Sequence, residues 1–226
     1  MKEYPILFSP PMVNAILDGR KTQTRRILNP QPDGFIRGSN GTFSVPKKIT
    51  TKKPHKNGTI WKEEDGTCYE DIKCKYGHEG DRLWVRETFA EVGTIGKPID
   101  WFEYQYKADF LDGIWQGYAD MCFEKWKPSI HLPRNASRIM LEVESVRVER
   151  LHSISEKDAM QEGASDVLTR DDLLLFSELD PIIPRPFAPY QFGFMKIWLL
   201  INGVKSWNEN PWVWAITFKN ISHTHK

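Results

Sequence analysis

Eight consecutive residues, Gly19-Arg20-Lys21-Thr22-Gln23-Thr24-Arg25-Arg26, carry four cations and two threonine hydroxyls. A lysine set among arginines loses basicity, because like charges disfavour its protonated form. An amine that sheds its proton near neutrality can take one from a neighbouring hydroxyl. A carboxylate with chemistry of its own is Glu162, at the end of the segment Ser155-Glu156-Lys157-Asp158-Ala159-Met160-Gln161-Glu162-Gly163. If that segment is helical, Glu162 meets the negative end of the helix dipole, a placement that suits a proton donor. Two further groups carry polar chemistry: Trp84, Arg86 and Glu87, and the proline-bracketed His131, Arg134, Ser137 and Arg138. Rigid polar loops of the latter kind edge binding sites. Cys68, Cys74 and His78 match a metal knuckle only loosely, since a closed zinc site wants four ligands and other spacings, so no metal and no cofactor is assigned.

The elements that must hold these residues follow from local pattern. Tyr4 to Phe8 is a short apolar strand. Ser9 and Pro10 are a helix start, Met12, Ala15 and Ile16 recur at helical spacing, Phe8 and Val13 suit a hydrophobic staple, and Gly19 suits the helix end. The cationic stretch therefore leaves a helix and enters a strand. Gly80 to Phe89 reads as a turn and a strand, with Leu83 and Val85 on one face and Trp84 and Arg86 on the other. Ile139 to Leu151 is the clearest strand, its period shifting at Ser145 as a bulge would shift it. Ser155 caps a helix that Gly163 terminates. Phe192 to Gly203 returns to helical spacing, with Phe194, Ile197, Trp198 and Ile201 as its buried face and Gly203 as its cap, and Trp212 to Lys219 alternates as a closing strand.

Composition bounds the rest. The chain has 226 residues, 40% of them apolar and 27% charged, enough for one core. The expected organisation is one domain, 1–226, interrupted by insertions at about 29–75, 91–135 and 165–191. The first is rich in Pro, Gly and Lys, with Phe35-Ile36 and Thr42 to Val45 as a small hairpin and Lys47, Lys48, Lys52, Lys53 and Lys56 as a basic arm. The third holds an acidic helix from Asp171 to Glu178. Net charge is +1, so attraction to nucleic acid has to come from local patches and not from the whole-protein field. Three cysteines, the absence of a leader at Met1-Lys2-Glu3-Tyr4 and the lack of a long apolar run point to a cytoplasmic chain without membrane contact. Nine tryptophans read mainly as packing residues, a few as candidates to line a pocket for a planar base.

Mostly strands with a few helices predict an α+β protein built on a small β-barrel. The motifs resemble those of the ASCH domain, a branch of the PUA-like barrels. Gly19-x-Lys21-x-x-Thr24-x-Arg26 after the first helix matches that family's G-x-K-x-x-T-x-R signature, and Gly80-Asp81-x-Leu83-x-Val85 resembles its second segment. Glu156-Lys157-x-Ala159-x-x-Glu162-Gly163 and Val213 to Lys219 are similar to the helix and last strand of the small bacterial N4-acetylcytidine amidohydrolases. The aromatic-rich segments Gly80–Phe89 and Trp126–Arg138 look like the larger ASCH proteins of phage and prophage genomes. The three insertions have no counterpart in the small hydrolases.

What the resemblance implies is an amidohydrolase acting on a modified nucleobase, nucleoside or related amide. Lys21 would be the proton acceptor, Thr24 the nucleophile and Glu162 the proton donor, with Arg26 near the substrate. Arg20, Arg25, Trp84, Arg86, Glu87, His131, Arg134, Ser137 and Arg138 are the further candidates for contact with substrate or single-stranded nucleic acid. Residues 21 and 24 of an extended strand face opposite sides, so their cooperation requires a turn or bulge between them. Two other readings use the same cleft: a non-catalytic RNA- or DNA-binding module that reads a modified base, and a nuclease.

Overall fold

Ile6 is fully buried while Pro5 and Leu7 beside it are exposed, the alternation of a half-buried strand. That strand, β1 (Glu3–Leu7), opens a computed structural model that describes residues 1–32, 37–39, 42–47, 60–62, 68–93, 102–110, 125–167 and 188–222. Ser9 is extended and Pro10 takes the first turn of α1 (Pro10–Leu17). The Ser9 hydroxyl makes no capping bond, so the fixed φ of proline defines this start. Val13, Ala15 and Ile16 are buried, and Gly19 at φ +73° turns the chain toward β2 (Gln23–Ile27).

β7 (Arg82–Arg86), β10 (Met140–Arg150) and β11 (Trp212–Asn220) complete a mixed five-stranded sheet of order β1-β7-β10-β11-β2. β1 runs parallel to β7 and the other pairs are antiparallel. The register shift expected at Ser145 is present between Val143 and Ser145. The C-terminal strand does not close the sheet, however. β11 lies inside it, and β1 and β2 are its two edges, so the architecture is an open α+β sheet and not a closed barrel. In place of a closing ladder, the Arg26 guanidinium donates from Nη2 to the carbonyl of Leu7 at 2.5 Å. α1 packs Val13 and Ile16 into the same apolar cluster as Ile6, Val85, Leu141 and Ile216.

The segment expected as the first insertion builds its own antiparallel sheet, β3 (Arg37–Ser39), β4 (Thr42–Lys47), β5 (Ile60–Lys62) and β6 (Cys68–Ile72), in the order β3-β4-β6-β5. β3 and β4 pair as an antiparallel hairpin; of the hairpin expected from Phe35-Ile36 and Thr42 to Val45, the second arm lies in β4, and Phe35 and Ile36 lie outside the described residues. The second contains the hairpin of β8 (Phe89–Gly93) and β9 (Phe102–Tyr106). Lys48, Lys52, Lys53, Lys56 and the acidic helix at 171–178 lie outside the described residues.

α2 (Glu156–Gln161) begins as expected, Ser155 Oγ accepting the Asp158 amide at 3.1 Å, and ends at Gly163 with φ +78°. α3 (Pro189–Asn208) is bound to it end-on: the Glu156 carboxylate accepts the Tyr190 and Gln191 amides at 3.1 Å each, which places an anion on the α3 N-terminus. Gly193 permits a close approach, since a Cβ there would stand 1.9 Å from the Ser165 carbonyl oxygen. Gly203, at φ +79° and ψ 167°, interrupts the helix, which resumes and runs to Asn208. Phe194 and Trp198 are core, as the spacing predicts, but Ile201 is 53% exposed. Among the described residues no helix is long and apolar enough to cross a membrane.

Candidate active site

β2 sends Thr24 toward the α1 side of the sheet and Gln23, Arg25 and Ile27 toward the α2 and α3 side. Its pairing with β11 runs Thr217↔Gln23 to Val213↔Ile27, with ladder bonds at residues 22 and 28. Even-numbered residues therefore bond to β11, and the backbone groups of Arg25 and Ile27 point to the open edge of the sheet. Among the described residues neither receives a partner there. Along that edge runs a cleft with a cavity volume of about 60 Å³, room for a few waters. Its polar lining is Thr24, Arg25, Arg26, Glu162 and Asn202, and its apolar wall is Met12 of α1 with Phe194, Ile197, Trp198 and Ile201 of α3.

Lys21 stands behind the cleft, 1% exposed. Its amide donates to Ala15 O at 2.8 Å, the Thr22 amide donates to Gln161 O at 2.8 Å, and Lys21 forms an isolated antiparallel bridge with Glu162. The end of α1 and the end of α2 thus clamp the residue from both sides. Gly163 is needed for this: besides its positive φ, a Cβ would come within 3.0 Å of the Ala15 Cβ and 3.2 Å of the Lys21 Cβ. The Lys21 ammonium donates to Glu162 Oε2 at 2.6 Å, Glu162 O at 2.9 Å and Gln23 O at 2.8 Å. Three donors meet three acceptors, so none is directed at Thr24. The turn or bulge required between residues 21 and 24 is not found: Thr22 O accepts the Phe218 amide at 2.9 Å as the ladder to β11 continues, and the Lys21 amine meets Glu162 and not the threonine.

Burial lowers the Lys21 pKa from its ordinary value; Glu162 opposes the shift, and Arg26 and Arg25 add smaller contributions in the same direction as burial. The direction matches the sequence expectation and the main cause does not: loss of water outweighs the arginines. Glu162, 5% exposed, is shared. Its Oε2 faces Lys21 and its Oε1 accepts from Arg25 Nη1 at 3.2 Å. Arg25 also binds Glu149 Oε1 through Nε at 2.8 Å and Nη2 at 2.5 Å, and Gln23 Oε1 through Nη1 at 2.7 Å, with Asp158 Oδ2 at 3.3 Å. It is a positioning residue, held by its own acids. Arg26 is different: its Nε is buried with no hydrogen-bond partner, and its guanidinium sits 5.1 Å from the Phe8 ring centroid while lining the cleft.

No protein-family model, curated protein or solved structure matches this chain. The site therefore rests on its own geometry.

The remaining sequence candidates are elsewhere. Arg20 is exposed and pairs with Asp18 at 2.7 Å. Trp84, Arg86 and Arg134 gather at the β1–β7 edge, the two guanidinium carbons 5.2 and 5.9 Å from the Trp84 ring, with Arg86 donating to Ile130 O and Arg134 to Glu3. Glu87 pairs with Arg138 rather than with its neighbour Arg86, through two bonds of 2.9 Å, and Arg138 also reaches Asp109 at 2.8 Å. Ser137 Oγ donates to Val85 O at 2.8 Å, and His131 is exposed. Among the described residues none of these lines the cleft. Of the loose metal set, His78 faces Asp81 at 3.4 Å and Cys74 packs against the main apolar cluster.

Gln23, Glu149 and Asp158 complete the buried charge network and were not singled out by sequence. Glu149 shares its face of β10 with Ser145 and Arg147, and nothing local told which cation it meets.

Proposed function

We propose that the cleft hydrolyses an amide on a modified nucleobase or nucleoside, of the N4-acetylcytidine kind, within a PUA-like ASCH architecture. The observation that carries this reading is that Thr24 and Glu162 line one cleft while Glu162 is hydrogen-bonded to the fully buried Lys21. Burial disfavours the charged form of the amine, so proton transfer from Lys21 to Glu162 yields a neutral amine and a neutral acid without moving net charge into the interior. In this reading the neutral amine gives up its bond to Glu162 and turns its lone pair to Thr24. The Thr24 oxygen attacks the acyl carbon as its proton passes to Lys21, and the developing oxyanion is met by Arg26, whose Nε lacks a partner. Collapse breaks the C–N bond as Glu162 protonates the leaving exocyclic amine, leaving an acyl-Thr24 ester. Water, giving a proton back through the Lys21–Glu162 pair, cleaves the ester and restores the hydroxyl. The apolar α3 wall suits a planar base, and the open Arg25 and Ile27 backbone groups offer a donor and acceptor to its edge.

The test is turnover of N4-acetylcytidine by the wild-type chain beside Lys21→Ala, Thr24→Ala and Glu162→Gln. Hydrolysis by the wild type with loss in all three is expected, and full activity of Thr24→Ala sinks the mechanism. The saturation of the Lys21 donors favours a second reading, in which the ion pair is structural and the cleft binds a modified base without cleaving it. Wild-type binding of N4-acetylcytidine without turnover, retained in Thr24→Ala, would select that reading.

A further inference from the structure

Beyond Ile27 the same sheet edge runs into a second concavity of about 200 Å³, lined by Ile27, Leu28, Asn29, Pro30, Ile72, Lys73, Lys75 and Trp214. It is larger than the cleft at Thr24, and Ile27 belongs to the walls of both. Its floor is apolar, from Ile27, Leu28, Ile72 and Trp214, and among the described residues its charged lining groups are two exposed lysines. Neither Lys73 nor Lys75 forms an ion pair with any described residue. Lys75 rests 5.0 Å from the Tyr76 ring centroid, which leaves its charge uncompensated. At the Thr24 cleft Arg25 is neutralised by Glu149 and Glu162 and Lys21 by Glu162, while Arg26 gives its Nη2 to the Leu7 carbonyl. An apolar trough with unneutralised cations on its rim matches a ligand that is flat and apolar on one part and anionic on another.

From this continuity we infer that the second groove holds the phosphate-bearing portion of the substrate, so that the chain acts on a nucleotide, free or within a single strand, and not on a bare nucleoside. The inference rests on the reading of the cleft given above. From Thr24 to Asn29 is five residues, roughly 16 Å at the rise of a strand. A base seated beside Thr24 does not reach the lysines, whereas its sugar phosphate or the next nucleotide does. Ile27 provides the surface on which a neighbouring sugar or base lies, the Trp214 indole being buried at 4% exposure, and Lys73 and Lys75 meet the phosphates as point charges. Asn29 adds a carboxamide that donates to a phosphate oxygen or a sugar hydroxyl.

The experiment compares kcat/KM for N4-acetylcytidine, its 5′-monophosphate and a trinucleotide with the modified base at the centre, in the wild type and in Lys73→Ala/Lys75→Ala. Both lysines are exposed, so the double variant should fold; its urea midpoint checks this. The expected result is at least a tenfold preference for the phosphorylated substrates at low salt. That preference should shrink with added salt and vanish in the double variant, whose nucleoside turnover stays unchanged, and Lys73→Arg/Lys75→Arg should restore it. A gain with the trinucleotide alone assigns the groove to a strand, and a gain with both to any nucleotide. Equal turnover of all three by the wild type, or an equal fall for all three in the double variant, overturns the inference. Should no substrate be turned over, the reading of the cleft has failed, and equilibrium binding of the same trinucleotide decides this one: affinity lost with the two lysines sustains a phosphate groove, and unchanged affinity removes it.

Discussion

Two buried acid–base clusters sit on the same sheet, and the cleft at Thr24 lies beside one of them. At the β2 edge, Lys21 and Arg25 share Glu162 behind a cleft that Thr24 also lines. After β7, Arg138 holds Glu87 in a two-bonded fork, stacks 4.1 Å from the Tyr106 ring centroid and ties the hairpin of β8 and β9 to the sheet. Both clusters hold a carboxylate that is nearly inaccessible, Glu162 at 5% and Glu87 at 1% exposure. They differ in stoichiometry and in surroundings. The Glu87 fork uses both carboxylate oxygens, and the Tyr106 hydroxyl beside it donates to the Ala136 carbonyl, the arrangement of a structural clasp. At β2 one carboxylate is divided between two cations, a lysine is stripped of water, and the neighbouring strand edge is open. Perturbed charge alone does not mark a site; perturbed charge facing a cavity and a nucleophile does.

The largest effect that would break this contrast is Lys21→Met. Removing the amine leaves Glu162 facing Arg25 alone, and the loss of stability should be about 3–5 kcal/mol, read from urea denaturation, with turnover falling by about 10³-fold or more. If Lys21→Met is as stable as the wild type, the ion pair is not the keystone of the α1–α2 clamp. Next comes Gly193→Ala. Its Cβ must displace the Ser165 carbonyl or push α3 away, with an expected cost of about 1–3 kcal/mol. Because α3 is the apolar wall of the cleft, ligand affinity should fall too, while the Glu87 cluster, which α3 does not touch, keeps its behaviour.

A pH series separates the clusters by sign. Burial holds the Lys21 amine below 10.5, so between its folded pKa and 10.5 the unfolded chain binds a proton that the folded one lacks, and stability rises with pH. Burial raises Glu87 above 4.5, and the opposing Arg138 does not cancel it. Between 4.5 and the folded value the folded chain keeps a proton that the unfolded one has lost, so stability falls as pH rises. Each limb reaches at most about 1.4 kcal/mol per pH unit. Urea midpoints should show Lys21→Met flattening the alkaline limb and Glu87→Gln the acid limb; a swap of those assignments would refute the burial argument. The smallest effect is Arg20→Ala. Its pair with Asp18 is more than half exposed on both sides, so the change should stay within about 0.5 kcal/mol. A larger loss would mean that Arg20, although first in the cationic run, belongs to the site.

Local chemistry settled a good deal in advance. Pro10, Gly19, Ser155 and Gly163 mark helix ends because a fixed φ, a positive φ or a side-chain acceptor acts within one turn, and each stands where its chemistry requires. Alternation assigned Leu83 and Val85 to the core and Trp84 and Arg86 to the other face, since strand parity needs no knowledge of the partner strand. Lys21 and Glu162 were singled out as a pair through the family resemblance, and the fold brings the two side chains to 2.6 Å. What no local pattern contained was partner choice. Glu87 turned from the adjacent Arg86 to Arg138, and the Lys21 amine met a carboxylate 141 residues away instead of the threonine three residues on. Those choices depend on sheet order, on β2 being an edge and on how deeply each charge is buried. Only the assembled sheet and its three helices determine these, because desolvation and long-range pairing are properties of the packed whole.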